Sequence, residues 1–139
     1  MRYIVSACLA GVCCRYDGKS KPHERVLELI KSGQALPVCP EQLGGLPTPR
    51  GKAEMKNDRI YTESGEDVTE QFTSGAQQAL ELAQLFGAQG AILQSRSPSC
   101  GATQIYDGSF TGSLITGSGV FASLLRKHNF MVQEDTYFS

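Results

Sequence analysis

Three of the five cysteines in this 139-residue chain share one local layout. Tyr3-Ile-Val5 runs through Ser6-Ala7 into Cys8. Leu36-Pro-Val38 runs straight into Cys39-Pro40-Glu41. Gly90-Ala-Ile-Leu93 leads through Gln94-Ser95-Arg96 into Ser97-Pro98-Ser99-Cys100-Gly101. Each apolar run reads as a short buried strand, so each sets a thiol at a strand's carboxyl end, the edge of an open α/β sheet where ligands bind. Such thiols can ligate soft metals, zinc or an iron–sulfur cluster, act as nucleophile or redox thiol, or fill space as small apolar groups. Their loops of Gly, Pro and Ser fit the last role poorly. An odd number of cysteines and an N-terminus without signal-peptide form point to a reducing, cytoplasmic setting rather than disulfides. No two cysteines have C-x₂-C spacing, so the zinc-ribbon and ferredoxin signatures are missing. A site built from three distant ligands would keep one coordination position open for substrate, where four would close it.

The remaining sequence must supply the frame. Hydrophobic residues make up 40% and charged residues 19%, with a net charge of −1; that suits a soluble globular domain and argues against general nucleic-acid binding. No run is long enough to span a membrane. The expected fold is α/β, a single domain over residues 1–139 with a Rossmann-like three-layer arrangement around a mainly parallel central sheet. Pro22 to Ser32 reads as a helix ended by Gly33. Cys39 to Arg50 holds three prolines and two glycines in twelve residues, which predicts a rigid loop instead of a helix. Lys52 to Asp58 reads as a polar, mobile stretch, and Arg59 to Thr62 as a short edge strand. Asp67, with Glu70 three residues on, predicts a capped helix whose apolar face includes Phe72, Ala76, Ala79, Leu80 and Ala83, ended by Gly87. A hairpin is expected around Asp107-Gly108, then a helix from Val120 capped by Ser118, and a last strand at Phe130 to Val132. His23 and His128 are read as solvated. With no G-x-S-x-G elbow, a serine hydrolase has no support.

Five blocks of this sequence, Ser6-Ala-Cys-Leu…Gly11…Cys14-Arg-Tyr-Asp-Gly18, Val38-Cys-Pro-Glu-Gln-Leu-Gly-Gly-Leu-Pro-Thr-Pro-Arg50, Gly65-Glu-Asp-Val-Thr69, Ser97-Pro-Ser-Cys-Gly101 and Ile105-Tyr-Asp-Gly108, resemble the thiouracil desulfurase family. The resemblance runs from Ile4 to Val132. It implies an α/β domain holding an oxygen-sensitive [4Fe-4S] cluster on three cysteines, with the fourth iron open to the sulfur of a thiolated nucleobase such as 2-thiouracil. Motif by motif, the family-like cysteines are Cys8, Cys14, Cys39 and Cys100, while Cys13 departs from the pattern and is read as a bystander. Cys39 and Cys100 are taken as ligands. Cys8, at a strand end like them, is the expected third, with Cys14 the alternative. The open iron would act as a Lewis acid without net electron transfer, and sulfur would leave as sulfide. Glu41 is the expected proton carrier, and Ser97 a hydrogen-bonding aid to substrate or water. Arg15, Asp17 and Arg50 are read as binding a uracil edge or pairing with one another. Two competing readings stand beside this one: a metal-independent cysteine-persulfide sulfurtransferase, and a structural zinc domain that binds a partner. The expected partner is a small thiolated nucleobase; a homodimer is compatible with the sequence.

Overall fold

In the computed structural model, which describes residues 1–138, the apolar runs become one parallel sheet. Its strands are β1 (Tyr3–Ser6), β2 (Ala35–Val38), β5 (Gly90–Leu93) and β8 (Met131–Glu134), in the order β2-β1-β5-β8. Alternation along the strands divides the core. Ile4, Ala91 and Leu93 face α3 (Thr69–Phe86) and α4 (Val120–Lys127), where they pack with Ala76, Leu80 and Phe121. Val5 and Ile92 face the other way, toward Val26 and Ile30 of α1 (Glu24–Lys31). Helices on both faces of a parallel sheet make the three-layer α/β arrangement. Among the described residues no helix is long and apolar enough to cross a membrane.

Two small antiparallel pairs sit outside the sheet: β3 (Ala53–Lys56) with β4 (Arg59–Thr62), and β6 (Gln104–Tyr106) with β7 (Leu114–Thr116). The first replaces the mobile stretch expected before Arg59. Its two connecting residues, Asn57 and Asp58, have φ of 52° and 63°, the left-handed pair that a tight hairpin turn needs and that Asn and Asp tolerate best. The second is the hairpin expected around Asp107, whose side chain accepts the Ser109 N–H.

The Cys39–Arg50 segment also departs from expectation. It opens with a single helical turn, α2 (Pro40–Leu43), started by a proline at its first position, where the missing N–H costs nothing. Two caps are displaced. Val68, not Asp67, occupies the cap position of α3 without a side-chain bond, because the Asp67 carboxylate instead accepts the Thr69 N–H and pairs with Arg59; the Glu70 capping box does not form. Gly119, not Ser118, precedes α4, and the Ser118 hydroxyl bonds that of Ser123. His23 is not solvated. Its Nε2 lies 2.9 Å from the Phe138 carbonyl, with the Phe138 ring beside it.

Candidate active site

In a parallel sheet ordered β2-β1-β5-β8, the chain moves outward from β1 in opposite directions, so the carboxyl ends of β1 and β5 flank the topological switch point where crevices open. A cavity of about 560 Å³ lies there. Four cysteines line it, Cys8, Cys14, Cys39 and Cys100, together with Glu41 and Ser97. Every residue expected at the site is therefore in one place, while Cys13 is exposed. Adjacent residues in an irregular loop point apart, which is why Cys14 enters and its neighbour does not.

Each thiol is set by a different local device. Cys8 lies in the 3₁₀ turn Ala7–Ala10 that continues β1, and its Sγ is 3.7 Å from Gln94 Oε1. Cys39 occupies the cap position of α2, with Sγ 3.9 Å from the Cys14 carbonyl. That short helix lies backbone to backbone on α3. A Cβ on Gly75 would collide with the Pro40 carbonyl, and one on Gly44 with the Gln71 carbonyl, so glycine at both places permits the approach.

Cys100 sits in the most heavily braced loop. Ser97 Oγ accepts the N–H groups of Ser99 and Cys100 at 3.0 and 3.1 Å. The first turn of α4 then spends its N–H groups on the loop: Gly119 donates to the Gly101 carbonyl, Val120 to Pro98 and Phe121 to Ser99. These donors have no partner within their own helix, so loop and helix complete each other. From the end of β8, the Glu134 carboxylate accepts the Ala102 N–H and the Thr103 hydroxyl. Beside it, Asp135 accepts the Ser95 N–H at 3.0 Å and pairs with Lys21.

Glu41 projects from α2. Its Oε2 accepts Arg50 Nε at 2.8 Å and Nη2 at 2.6 Å, and its Oε1 faces Ser97 Oγ at 3.4 Å. Arg50 thus pairs with Glu41 and not with Arg15 or Asp17. Asp17 makes a turn with the Lys19 N–H, and Arg15 lines the cavity.

The thiols share a polarised but cation-poor setting. For Cys14, a bond with Cys39 favours the thiolate, but a bond with Cys8 and burial outweigh it and push the group up to about 11. Cys39 is pushed further up, by its bond with Cys14 and then by burial. Burial pushes Cys100 up to about 12. Thiols crowded away from water keep their protons until a metal supplies positive charge, since the ligating form is the thiolate. Soft donors spread around a cavity of this size, in place of a knot about one point, fit a multi-iron cluster. Among the described residues no three His, Cys, Asp or Glu side chains gather on a single-ion position.

Arg50 as the Glu41 partner, Gln94 beside Cys8, and the Glu134–Asp135 brace were not expected from sequence. The brace contacts span 31 to 40 residues and Gln94 spans 86, and no local pattern marks them. Arg50 alone carried a signal, its place in the same block as Glu41.

Comparison with known proteins gives three findings. A model of the 2-thiouracil desulfurase family matches residues 3–136. An uncharacterized protein of Bacillus subtilis (strain 168), YbbK, is 42% identical over 139 residues, covering 93% of this chain and 92% of the relative. Among solved structures, a [4Fe-4S]-dependent thiouracil desulfidase, TudS, is 45% identical with a TM-score of 0.93, over 97% of this chain and 91% of that one.

Proposed function

The chain belongs to the 2-thiouracil desulfurase family, and on that premise we propose that it is a [4Fe-4S]-dependent desulfurase removing sulfur from a thiolated nucleobase of the 2-thiouracil kind. The observation that carries this reading is the convergence of Cys8, Cys14, Cys39 and Cys100 on one cavity that also holds Glu41 and Ser97. Residues 1–139 act as one catalytic domain. Five free thiols suit a reducing compartment, which supports a cytoplasmic place and an oxygen-sensitive centre.

Cys8, Cys39 and Cys100 would hold the cluster, each from the end of a different strand, with Cys14 as the alternative to Cys8. When bound, the cluster supplies a Lewis-acidic iron without a protein ligand, able to take a soft thione sulfur. Exchange of C=S for C=O consumes one water and releases one hydrogen sulfide. Both protons of the water end on sulfur, and no electrons are exchanged. A carboxylate that takes a proton and returns it is enough for that balance. Glu41 fits the task, with Oε1 turned to the cavity side and Ser97 Oγ beside it. Ser97, fixed by two backbone N–H groups, can orient water or the base without leaving its place.

The test is ligand by ligand. Anaerobically reconstituted protein should be brown; Cys39→Ser and Cys100→Ser should lose most of the bound iron, and Cys13→Ser should keep it with near wild-type sulfide release. Retention of iron by Cys8→Ser with loss in Cys14→Ser would move the third ligand to Cys14. A colourless protein that binds zinc stoichiometrically and releases no sulfide from 2-thiouracil would overturn the reading.

A further inference from the structure

We propose that Arg50 is the positioning residue of this site: it anchors one oxygen of Glu41 so that the other alone faces the cavity, and it takes no part in binding the base. The inference rests on the reading of Glu41 given above. It comes from a full account of one side chain. A guanidinium carries five N–H donors and no acceptor. Here Nε and one N–H of Nη2 go to Glu41 Oε2 at 2.8 and 2.6 Å, the second N–H of Nη2 goes to the Cys14 carbonyl at 2.8 Å, and Nη1 serves the Pro47 carbonyl at 3.2 Å and Thr48 Oγ1 at 3.0 Å. All five are spent within the protein, and the side chain is only 7% exposed. No donor remains to read a uracil edge, although an arginine in a cavity would ordinarily be the first candidate for that work.

The pattern on Glu41 is equally informative. An arginine–carboxylate fork usually engages both oxygens. Here both donors fall on Oε2, and the sole hydrogen-bond partner of Oε1 is the Ser97 hydroxyl at 3.4 Å. The pair therefore sorts the two oxygens into an anchored one and a working one. Arg50 also joins three pieces of chain that reach the cavity separately: the Cys14 loop through its carbonyl, α2 through Glu41, and its own Pro47–Arg50 turn. Its backbone N–H extends the same junction to the Tyr16 carbonyl at 2.9 Å. Lysine could keep the charge, but it presents its three donors from one atom and cannot fan out to these positions.

The experiment uses reconstituted protein with 2-thiouracil as substrate, and Arg50→Ala, Glu41→Gln and the double variant. Misplacing a catalytic group by about 1 Å costs on the order of 10²-fold, so Arg50→Ala should lose roughly that much kcat, with KM nearly unchanged and iron retained. In the Glu41→Gln background the same change should cost little more. Methylguanidinium, but not methylammonium, should restore part of the Arg50→Ala activity. A second readout needs no activity: in cluster-free protein, Arg50→Ala should lower Tm by roughly 10 °C, because it strands a largely buried carboxylate, and by clearly less when Glu41 is already Gln. Should Arg50→Ala not fold, Arg50→Lys carries the test, with the same kcat loss expected. A raised KM at unchanged kcat would make Arg50 a substrate ligand and overturn the inference, as would an equal kcat loss in both backgrounds, or full activity of Arg50→Lys. If Glu41→Gln is inactive while both Arg50 variants are active, this inference alone fails. If Glu41→Gln is fully active, the reading of Glu41 fails and takes the inference with it.

Discussion

Two arginine–carboxylate contacts in this molecule have the same length, 2.6 Å, and nearly the same span of chain. Arg59–Asp67 joins β4 to the start of α3 and stands half in water, its side chains 53% and 35% exposed; Arg50–Glu41 lies in the cavity wall at 7% and 16%. In the first pair water can replace any bond that lapses, and the contact closes a corner of the surface. In the second no water competes for the guanidinium, so the arginine decides where a carboxylate oxygen points. Contact length is common to both. What separates them is the completeness of the surrounding hydrogen bonds and the access of solvent, and those make one pair a fastener and the other part of a chemical device.

The sharpest test of that contrast is to neutralise each acid in turn. Glu41→Gln should keep iron and fold yet release sulfide from 2-thiouracil about 10²–10⁴-fold more slowly, whereas Asp67→Asn should be indistinguishable in the same assay. Equal losses would erase the distinction. A smaller effect is expected when Glu41 is kept but its platform is moved. Gly75→Ala places a methyl against the Pro40 carbonyl, which should displace α2 and lower sulfide release on the order of 10-fold to 100-fold, with the iron content measured alongside. Unchanged turnover would show that the site tolerates a shifted helix. The smallest effect belongs to the surface pair. Arg59, then Thr69, holds the Asp67 carboxyl down to about 2, so its contribution is present above the ordinary aspartate range and is lost as pH falls through about 2. Melting curves of Asp67→Asn should therefore lie within about 2 °C of wild type at pH 7 and converge with them at the acid end.

The two pairs also show what a sequence discloses. The strands under the site were readable because four short apolar runs, each bounded by polar or turn residues, have no other economical fate, and the thiols at their ends followed from chain order alone. The resemblance carried in the Cys39–Arg50 and Ser97–Gly101 blocks named the family that the comparisons then showed. Local rules failed where a distant group claimed the same atom. Asp67 had the right type and spacing for a helix cap, but Arg59 and Thr69 took its oxygens. Ser118 was passed over because loop carbonyls satisfy the first N–H groups of α4. The density of Gly and Pro after Cys39 hid one helical turn, even though a proline at its first position marks such starts. Arg50 was visible as a residue and invisible as a hub, since nothing in a linear reading tells that its five donors are already spoken for.

The brace at the end of β8 sets a timetable for biosynthesis. Glu134 and Asp135 hold the loop that carries Cys100, and they leave the ribosome about 100 residues after Cys39, roughly 5–20 s later at elongation rates of about 5–20 residues per second. Through that interval the nascent polypeptide carries early thiols with no finished pocket around them. Iron–sulfur loading therefore belongs to the released, folded product, and the growing chain depends on its cellular surroundings to keep those sulfurs reduced until the last strand docks.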